Sequence, residues 1–347
     1  MLSLAYKGNR ELAIEEIAER SLATDEVRVR VHSVGLCKSD VYGYSGLNDR
    51  RDAVIGEGEA LVMGHEISGF VSEIGANVDG FELDCAVAVN PIIGCGACEH
   101  CAGGGENLCA KRAVLGCAPA TPGGYAETIV VPAQNLFPLG PNVSLEIGAL
   151  AEPLCVGAHG LRLADPKPDD SVLVIGGGIV GIGAALAARR RVGDRVLLLE
   201  PIAERRVICE QLGLKTADPS EILGSGAQFD LALDCVARPE TFAGAIRAVP
   251  LKGIVVLVGI WEDEIPLPVS DVVGRETRIY GSYGYSSADF QDVVDWIGSN
   301  EVDLEPIIER RVGFDEVIAA FDGYADGSVN HVRTLFQPFP ENAESAQ

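Results

Sequence analysis

The stretch from Ser171 to Glu200 limits the possible folds of this chain more than any other. SVLVIG reads as a buried strand, Gly176-Gly177-Gly178-Ile179-Val180-Gly181 as a tight turn, IVGIGAALAARRRVG as a helix and RVLLLE as the next strand. The rhythm then continues, with ERRVICEQLG a helix, FDLALDC a strand, ETFAGAIRAV a helix and GIVVLVG a strand. Strands joined by helices of this length run parallel and need helices on both faces, so the middle of the chain is expected to form a doubly wound parallel sheet.

The glycine segment fits G-x-G-x-x-G in the context that gives that pattern weight, after an apolar strand and at the start of an apolar helix. Gly176 permits the turn, Gly178 lets backbone approach a pyrophosphate, and Gly181 allows helix to pack on strand. Ile179 and Val180 open the helix, whose N–H groups are donors for phosphates. Glu200 ends the second strand, where a carboxylate accepts hydrogen bonds from the adenosine ribose and repels a 2′-phosphate. NAD(H) is therefore expected over NADP(H). Arg205 and Arg206 come next in the chain, and either could stack on adenine or bind a 2′-phosphate; a solvated helix face is the plainer reading. Arg205 is carried forward as a candidate cofactor residue.

At 347 residues the chain suits about two domains. Before residue 171 short alternating runs (VRVRVHSV, ISGFVSEIG, AVAVNPII, AETIVVPA) read as strands; after about residue 286, DFQDVVDWIGSN and FDEVIAAFDGY read as helices and HVRTLFQP as a last strand. The tail ENAESAQ is expected to fray. A net charge of -24 repels nucleic acid and anionic membranes, arguing against both as partners. The start lacks the apolar core of a signal peptide, so a cytoplasmic protein is expected.

Four of the ten cysteines, Cys95, Cys98, Cys101 and Cys109, form C-x2-C-x2-C-x7-C. Short loops between thiolates let four sulfurs close around zinc with no position left for water, which makes a structural site; an iron–sulfur cluster or reduced thiols are the alternatives. His100 is read as a bystander. Cys85, Cys117, Cys155, Cys209 and Cys235 read as small buried hydrophobes.

Three separated pieces are candidates for a second metal: GLCKSD with Cys37, Ser39 and Asp40; MGHE with His65 and Glu66; and AEPLCVGAH with Glu152, Cys155 and His159. A mixed thiolate, imidazole and carboxylate set suits a zinc ion with an open fourth position.

Taken together, GLCKSD, MGHE, the four-cysteine lobe, EPLCVGAH and GGGIVG resemble, in order and spacing, the zinc-containing medium-chain dehydrogenases, over essentially the whole chain. The similarity is greatest to the polyol and threonine dehydrogenase branch, including sorbitol, butanediol and sugar-alcohol-phosphate dehydrogenases. The resemblance implies a GroES-like β-rich catalytic domain from residues 1–148 and 287–347 around a Rossmann NAD-binding domain of residues 149–286, with the active site in the cleft between them. It implies two zinc ions per chain. Cys37 and His65 would be ligands of the catalytic ion, with Glu66 or Glu152 as a further ligand and water bridging the other. Asp40 would orient His65, and Ser39 would relay the alcohol proton. Adjacent residues on a strand point to opposite faces, so His65 and Glu66 share a metal only if the backbone turns between them.

The implied reaction moves a hydride between a secondary alcohol, as in a polyol, diol or sugar alcohol, and NAD. A threonine-type dehydrogenase and a non-catalytic relative are the competing readings, and a zinc-free quinone reductase is disfavoured by the cysteines. Lys38 and Tyr42 depart from the family's usual glycine and histidine; Lys38 is expected to project outward. Arg50 and Arg51, in Asn48-Asp49-Arg50-Arg51, are candidates for attracting a phosphate or carboxylate on the substrate, with a solvated loop at least as good a reading. The resemblance also implies a homodimer or homotetramer joined through the sheet edge near residues 253–285.

Overall fold

The computed structural model describes residues 1–46, 52–56, 59–260 and 264–339. The Asn48–Arg51 stretch and the tail lie outside them. The chain forms two compact units. The first comprises the described residues of Met1–Glu152, Phe290–Glu301 and Ile308–Gln347; the second comprises those of Pro153–Asp289 and Val302–Ile307.

The first unit is organised by the strand Glu26–Gly35, where Val27, Val29 and Val31 alternate inward with Arg28 and Arg30 facing out. It pairs antiparallel with Glu66–Ile74, with Thr128–Pro132 and, at its end, with Arg333–Phe336, within a seven-stranded sheet. The core against it includes Tyr6, Met63, Ile67, Tyr125, Phe321 and Phe336. Gly35 pairs with Glu66 on one side and with Leu335 on the other. This double register brings Cys37, just past one strand, level with His65, just before another, and with Arg333 on the third. A second sheet pairs Leu2–Tyr6 with Leu12–Glu16 and Leu61–Val62.

AVAVNPII does not run as one strand. It breaks into Ala86–Val89 and Ile92–Ile93, because Pro91 has no N–H and Asn90 Oδ1 accepts the Ile92 N–H at 3.0 Å. Short helices also interrupt this β-rich part, among them Lys38–Ser45, and the helix Ala151–Ala164 begins in it.

In the second unit six parallel strands lie in the order Thr216–Ala217, Val196–Leu199, Val172–Ile175, Leu231–Asp234, Ile254–Leu257, Arg278–Gly281. This is the 3-2-1-4-5-6 order of a Rossmann sheet. Its first strand is fully buried and feeds the glycine turn and the helix Ile179–Val192. Among the described residues no helix is long and apolar enough to cross a membrane.

Candidate active site and metal centres

Cys37 is the N-cap residue of the helix Lys38–Ser45 and makes no side-chain hydrogen bond to it. His65 precedes the strand that starts at Glu66, and Gly64 before it has φ +95°. The strict alternation of a strand therefore does not apply between His65 and Glu66, and both side chains turn to the same point. One donor atom from each of Cys37, His65 and Glu66 lies within 4.8 Å of the others. Glu152, at the start of its helix, is buried outside that trio, near enough for its charge to act on His65.

The electrostatics of the trio call for a cation. Burial opposes charge on His65, yet Asp40, Cys37 and Glu152 together hold its pKa well above the usual imidazole value. Burial pushes the Glu66 carboxyl up, against Arg333 and His65, which pull it down. Neither Glu66 oxygen nor His65 Nδ1 completes a hydrogen bond, although all three atoms are buried. Two ion-pair distances qualify this: Arg333 Nη1 is 3.1 Å from Glu66 Oε2 and His65 Nδ1 is 3.5 Å from Asp40 Oδ2. These contacts are Coulombic attractions with poor hydrogen-bond geometry. The two Glu66 oxygens are the unsatisfied acceptors, which are costly when buried, and a metal ion is the group this donor set fits. Gly35 is needed here because a Cβ would stand 1.8 Å from Glu66 Oε2.

Around the trio, Ser39 Oγ donates to Cys37 Sγ at 3.3 Å and is exposed. Lys38 is exposed, as expected, and Tyr42 half-buried. Two further residues belong to the site without any motif to mark them. Arg333 donates to the Leu36 carbonyl at 2.6 Å while facing Glu66, and Tyr125 donates to Asp40 Oδ2 at 3.2 Å. Neither belongs to a local pattern. Cys155 is buried, as is His159, whose Nδ1 lies 2.8 Å from Asp289 Oδ2.

Cys95, Cys98, Cys101 and Cys109 likewise bring their sulfurs within 4.8 Å of one another, and His100 stands outside the group with an exposed ring. Backbone N–H groups of Ala97 and Cys98 lower the Cys95 thiol to about 6, while burial and its sulfur neighbours raise Cys101 to about 11. Gly94 lets Cys101 Sγ approach, since a Cβ would sit 2.8 Å from it. Four sulfurs and no open position suit a structural zinc. Of the other cysteines Cys209 is buried with Cys155, while Cys85, Cys117 and Cys235 are only half-buried; the expectation of full burial fails for those three.

At the glycine turn, Gly176 has φ +107° and a Cβ on Gly181 would stand 1.8 Å from the Gly176 carbonyl. A Cβ on Gly178 would meet nothing within 4 Å, so the backbone there is open to a ligand. Gly178 starts the helix with no side chain capping it, leaving the first N–H groups of Ile179 and Val180 without a side-chain acceptor from the cap. Glu200 is buried, its Oε2 accepting from Gly177 N at 2.8 Å and its Oε1 from Ile202 N at 3.0 Å. Arg206 donates to the Glu200 and Pro201 carbonyls at 2.7 and 3.0 Å, and Arg205 is buried. The turn thus fits a dinucleotide.

A Rossmann sheet in one unit, with a mixed-donor metal site and a four-cysteine lobe in a GroES-like other, defines a zinc-dependent dehydrogenase. The family models agree: the alcohol dehydrogenase GroES-like domain matches residues 23–141, and the zinc-binding dehydrogenase domain matches residues 180–299. A sorbitol dehydrogenase of Arabidopsis thaliana is 33% identical over 344 residues, 95% of this chain and 93% of that protein. An L-idonate 5-dehydrogenase of Vitis vinifera is 32% identical over 346 residues, 95% of this chain and 92% of its own. The crystal structure of 2R,3R-butanediol dehydrogenase from Bacillus subtilis superposes with a TM-score of 0.86 at 26% identity, covering 97% of this chain and 99% of that one. The chain belongs to the zinc-dependent medium-chain polyol dehydrogenases, oxidoreductases acting on CH–OH donors.

Proposed function

We propose that this enzyme oxidises a secondary alcohol of a polyol, diol or sugar alcohol with NAD as acceptor, at a zinc ion held by Cys37, His65 and Glu66. The carrying observation is the trio of donors, mutually within 4.8 Å, with His65 and Glu66 buried, Cys37 half-buried and both Glu66 oxygens unsatisfied. When bound, the metal supplies Lewis acidity at the substrate hydroxyl and the nicotinamide supplies the hydride acceptor.

The chain's own residues do the rest. Asp40 orients the His65 ring through Nδ1, leaving Nε2 for the metal. Arg333 holds the Glu66 carboxylate against Leu36 and Gly35. Glu152 adds negative charge beside His65. Ser39, exposed and two residues from Cys37, takes the alcohol proton toward solvent. The buried Glu200 supports NAD over NADP, since a 2′-phosphate would meet its carboxylate. Arg206 supports the same preference, being turned onto backbone carbonyls and Asp218. The edge strand Arg278–Gly281, beside the exposed Val273, Tyr280 and Tyr283, suits a homodimer joined across the sheet. A soluble cytoplasmic enzyme with a structural zinc in the Cys95–Cys109 lobe completes the reading.

The test is metal analysis together with NAD reduction across sorbitol, 2,3-butanediol, idonate, threonine and simple primary alcohols. Two zinc ions per chain, with turnover of a polyol or diol, are expected. One zinc per chain, or turnover that survives loss of the second, would sink the proposal.

A further inference from the structure

A second line of contacts leads away from His65. Its Nδ1 faces Asp40 Oδ2, and the same oxygen accepts a hydrogen bond from the Tyr125 hydroxyl at 3.2 Å. That hydroxyl also reaches the Gly35 carbonyl at 3.0 Å, so one proton is shared between two acceptors. Tyr125 and Asp40 are both fully buried. The Tyr125 ring stands edge-on to Phe321 and Phe336, at 5.6 and 5.7 Å between centroids. Its backbone N–H donates to the Met63 carbonyl at 3.0 Å, and a Cβ on Gly64 would come within 3.0 Å of the ring. The ring is thus fixed against Met63-Gly64-His65 with its oxygen aimed at the carboxylate.

We propose that Tyr125 is a positioning residue of the catalytic metal, acting through Asp40 on His65 and through Gly35 on the strand pairing that carries Glu66. The proposal rests on the reading of Cys37, His65 and Glu66 as metal donors. Packing alone would be served as well by phenylalanine; the hydroxyl is what two acceptors converge on. A buried carboxylate left with fewer donors is free to rotate, and the imidazole it faces then loses its fixed orientation. Gly35 is register partner of Glu66, so a bond to its carbonyl ties the same hydroxyl to the third donor. One proton thereby links the supports of two of the three donors.

The experiment uses the full chain with its zinc. Tyr125→Phe is compared with wild type, with 4-aminophenylalanine and 4-methylphenylalanine introduced at position 125, and with Asp40→Asn alone and combined with Tyr125→Phe. Zinc is titrated against a chelator, the four-cysteine ion serving as internal reference, and the visible spectrum of cobalt(II) exchanged into the catalytic site is recorded. Tyr125→Phe is expected to weaken catalytic zinc about tenfold, in the range found for outer supports of a ligand, and to move the cobalt bands. The amino variant, which still donates, restores both; the methyl variant, of equal size, does not. In the Asp40→Asn background Tyr125→Phe costs less than in wild type, the remainder being the part that runs through Gly35. Unchanged affinity and spectrum in Tyr125→Phe overturn the proposal, as does full additivity with Asp40→Asn. The equal-sized amino and methyl pair decides the same question should Tyr125→Phe not fold. A wild type holding one zinc per chain, or exchanging no cobalt at Cys37, marks failure of the underlying reading instead.

Discussion

Arg333 Nη1 lies 3.1 Å from Glu66 Oε2, and both side chains are almost wholly buried. The same guanidinium donates to the Leu36 carbonyl, which keeps it level with Cys37 whether or not Glu66 is engaged elsewhere. Glu66 therefore answers to two cations, the arginine and the proposed metal, and each relieves part of its burial cost. Arg333→Met leaves the carboxylate with the metal alone. The expected loss is about 3–5 kcal/mol in the chelated protein, the range for breaking a buried pair, and visibly less with zinc present. Urea unfolding with and without chelator measures this; equal losses in both conditions would separate Glu66 from the metal.

Replacing Cys37 by serine or His65 by alanine removes a proposed metal donor without touching the four-cysteine lobe. One of two zinc ions per chain should be lost, and kcat should drop at least about a thousandfold, since Lewis-acid stabilisation is worth several kcal/mol. Cys109→Ser should do the reverse. Cys109 is the buried member of its group, so the other ion is lost, thermal stability falls, and the protein that remains folded still turns over. Metal content, melting temperature and initial rates on the same preparations distinguish the two sites.

Much of this organisation is legible in the sequence. Ser171–Glu200 announces the parallel sheet because a buried strand, a glycine turn and an apolar helix leave one way to fold. Its short outer strands, Thr216–Ala217 and Arg278–Gly281, are not visible there, because two to four residues without apolar alternation carry no period. The helix Ala151–Ala164 is hidden by Pro153, tolerated in a first turn, and by Gly157 and Gly160. Gly157 is there for packing: a Cβ would meet the Val180 carbonyl at 2.0 Å. Motif spacing finds Cys37, His65 and Glu66, but their meeting is set by the register Gly35↔Glu66, which no local pattern states. Arg333 and Tyr125 reach this place only through contacts distant in sequence, so nothing near them marks them.

Glu200 ties the glycine turn to its strand through Gly177 N, and the proposal gives it the adenosine ribose as well. Glu200→Ala removes a charged acceptor, each such hydrogen bond being worth about 1.5–3 kcal/mol. kcat/KM for NAD should fall about tenfold or more, while that for NADP stays level or rises, so the preference narrows. Steady-state rates with both dinucleotides check it, and an unchanged ratio would deny Glu200 its role in choosing NAD.

Asp289 offers a test of pH dependence within the second unit. Its carboxylate accepts from His159 Nδ1 at 2.8 Å, from Ser286 Oγ at 2.7 Å, and from Arg162 Nη2 at 2.9 Å. Burial works to raise its pKa, but the hydrogen bonds from His159 and Ser286 hold it below the ordinary aspartate value. A depressed carboxyl stabilises the fold above its unfolded pKa of about 3.9 and loses that contribution as pH falls through the lower folded value. Asp289→Asn should therefore cost about 1–3 kcal/mol near neutral pH, where wild type has the full charge-assisted network. The gap between variant and wild type should close as pH falls below about 4, the unfolded value, and on through the lower folded one. Denaturant unfolding at a series of pH values reads the gap directly; a constant difference across that range would mean Asp289 contributes packing alone.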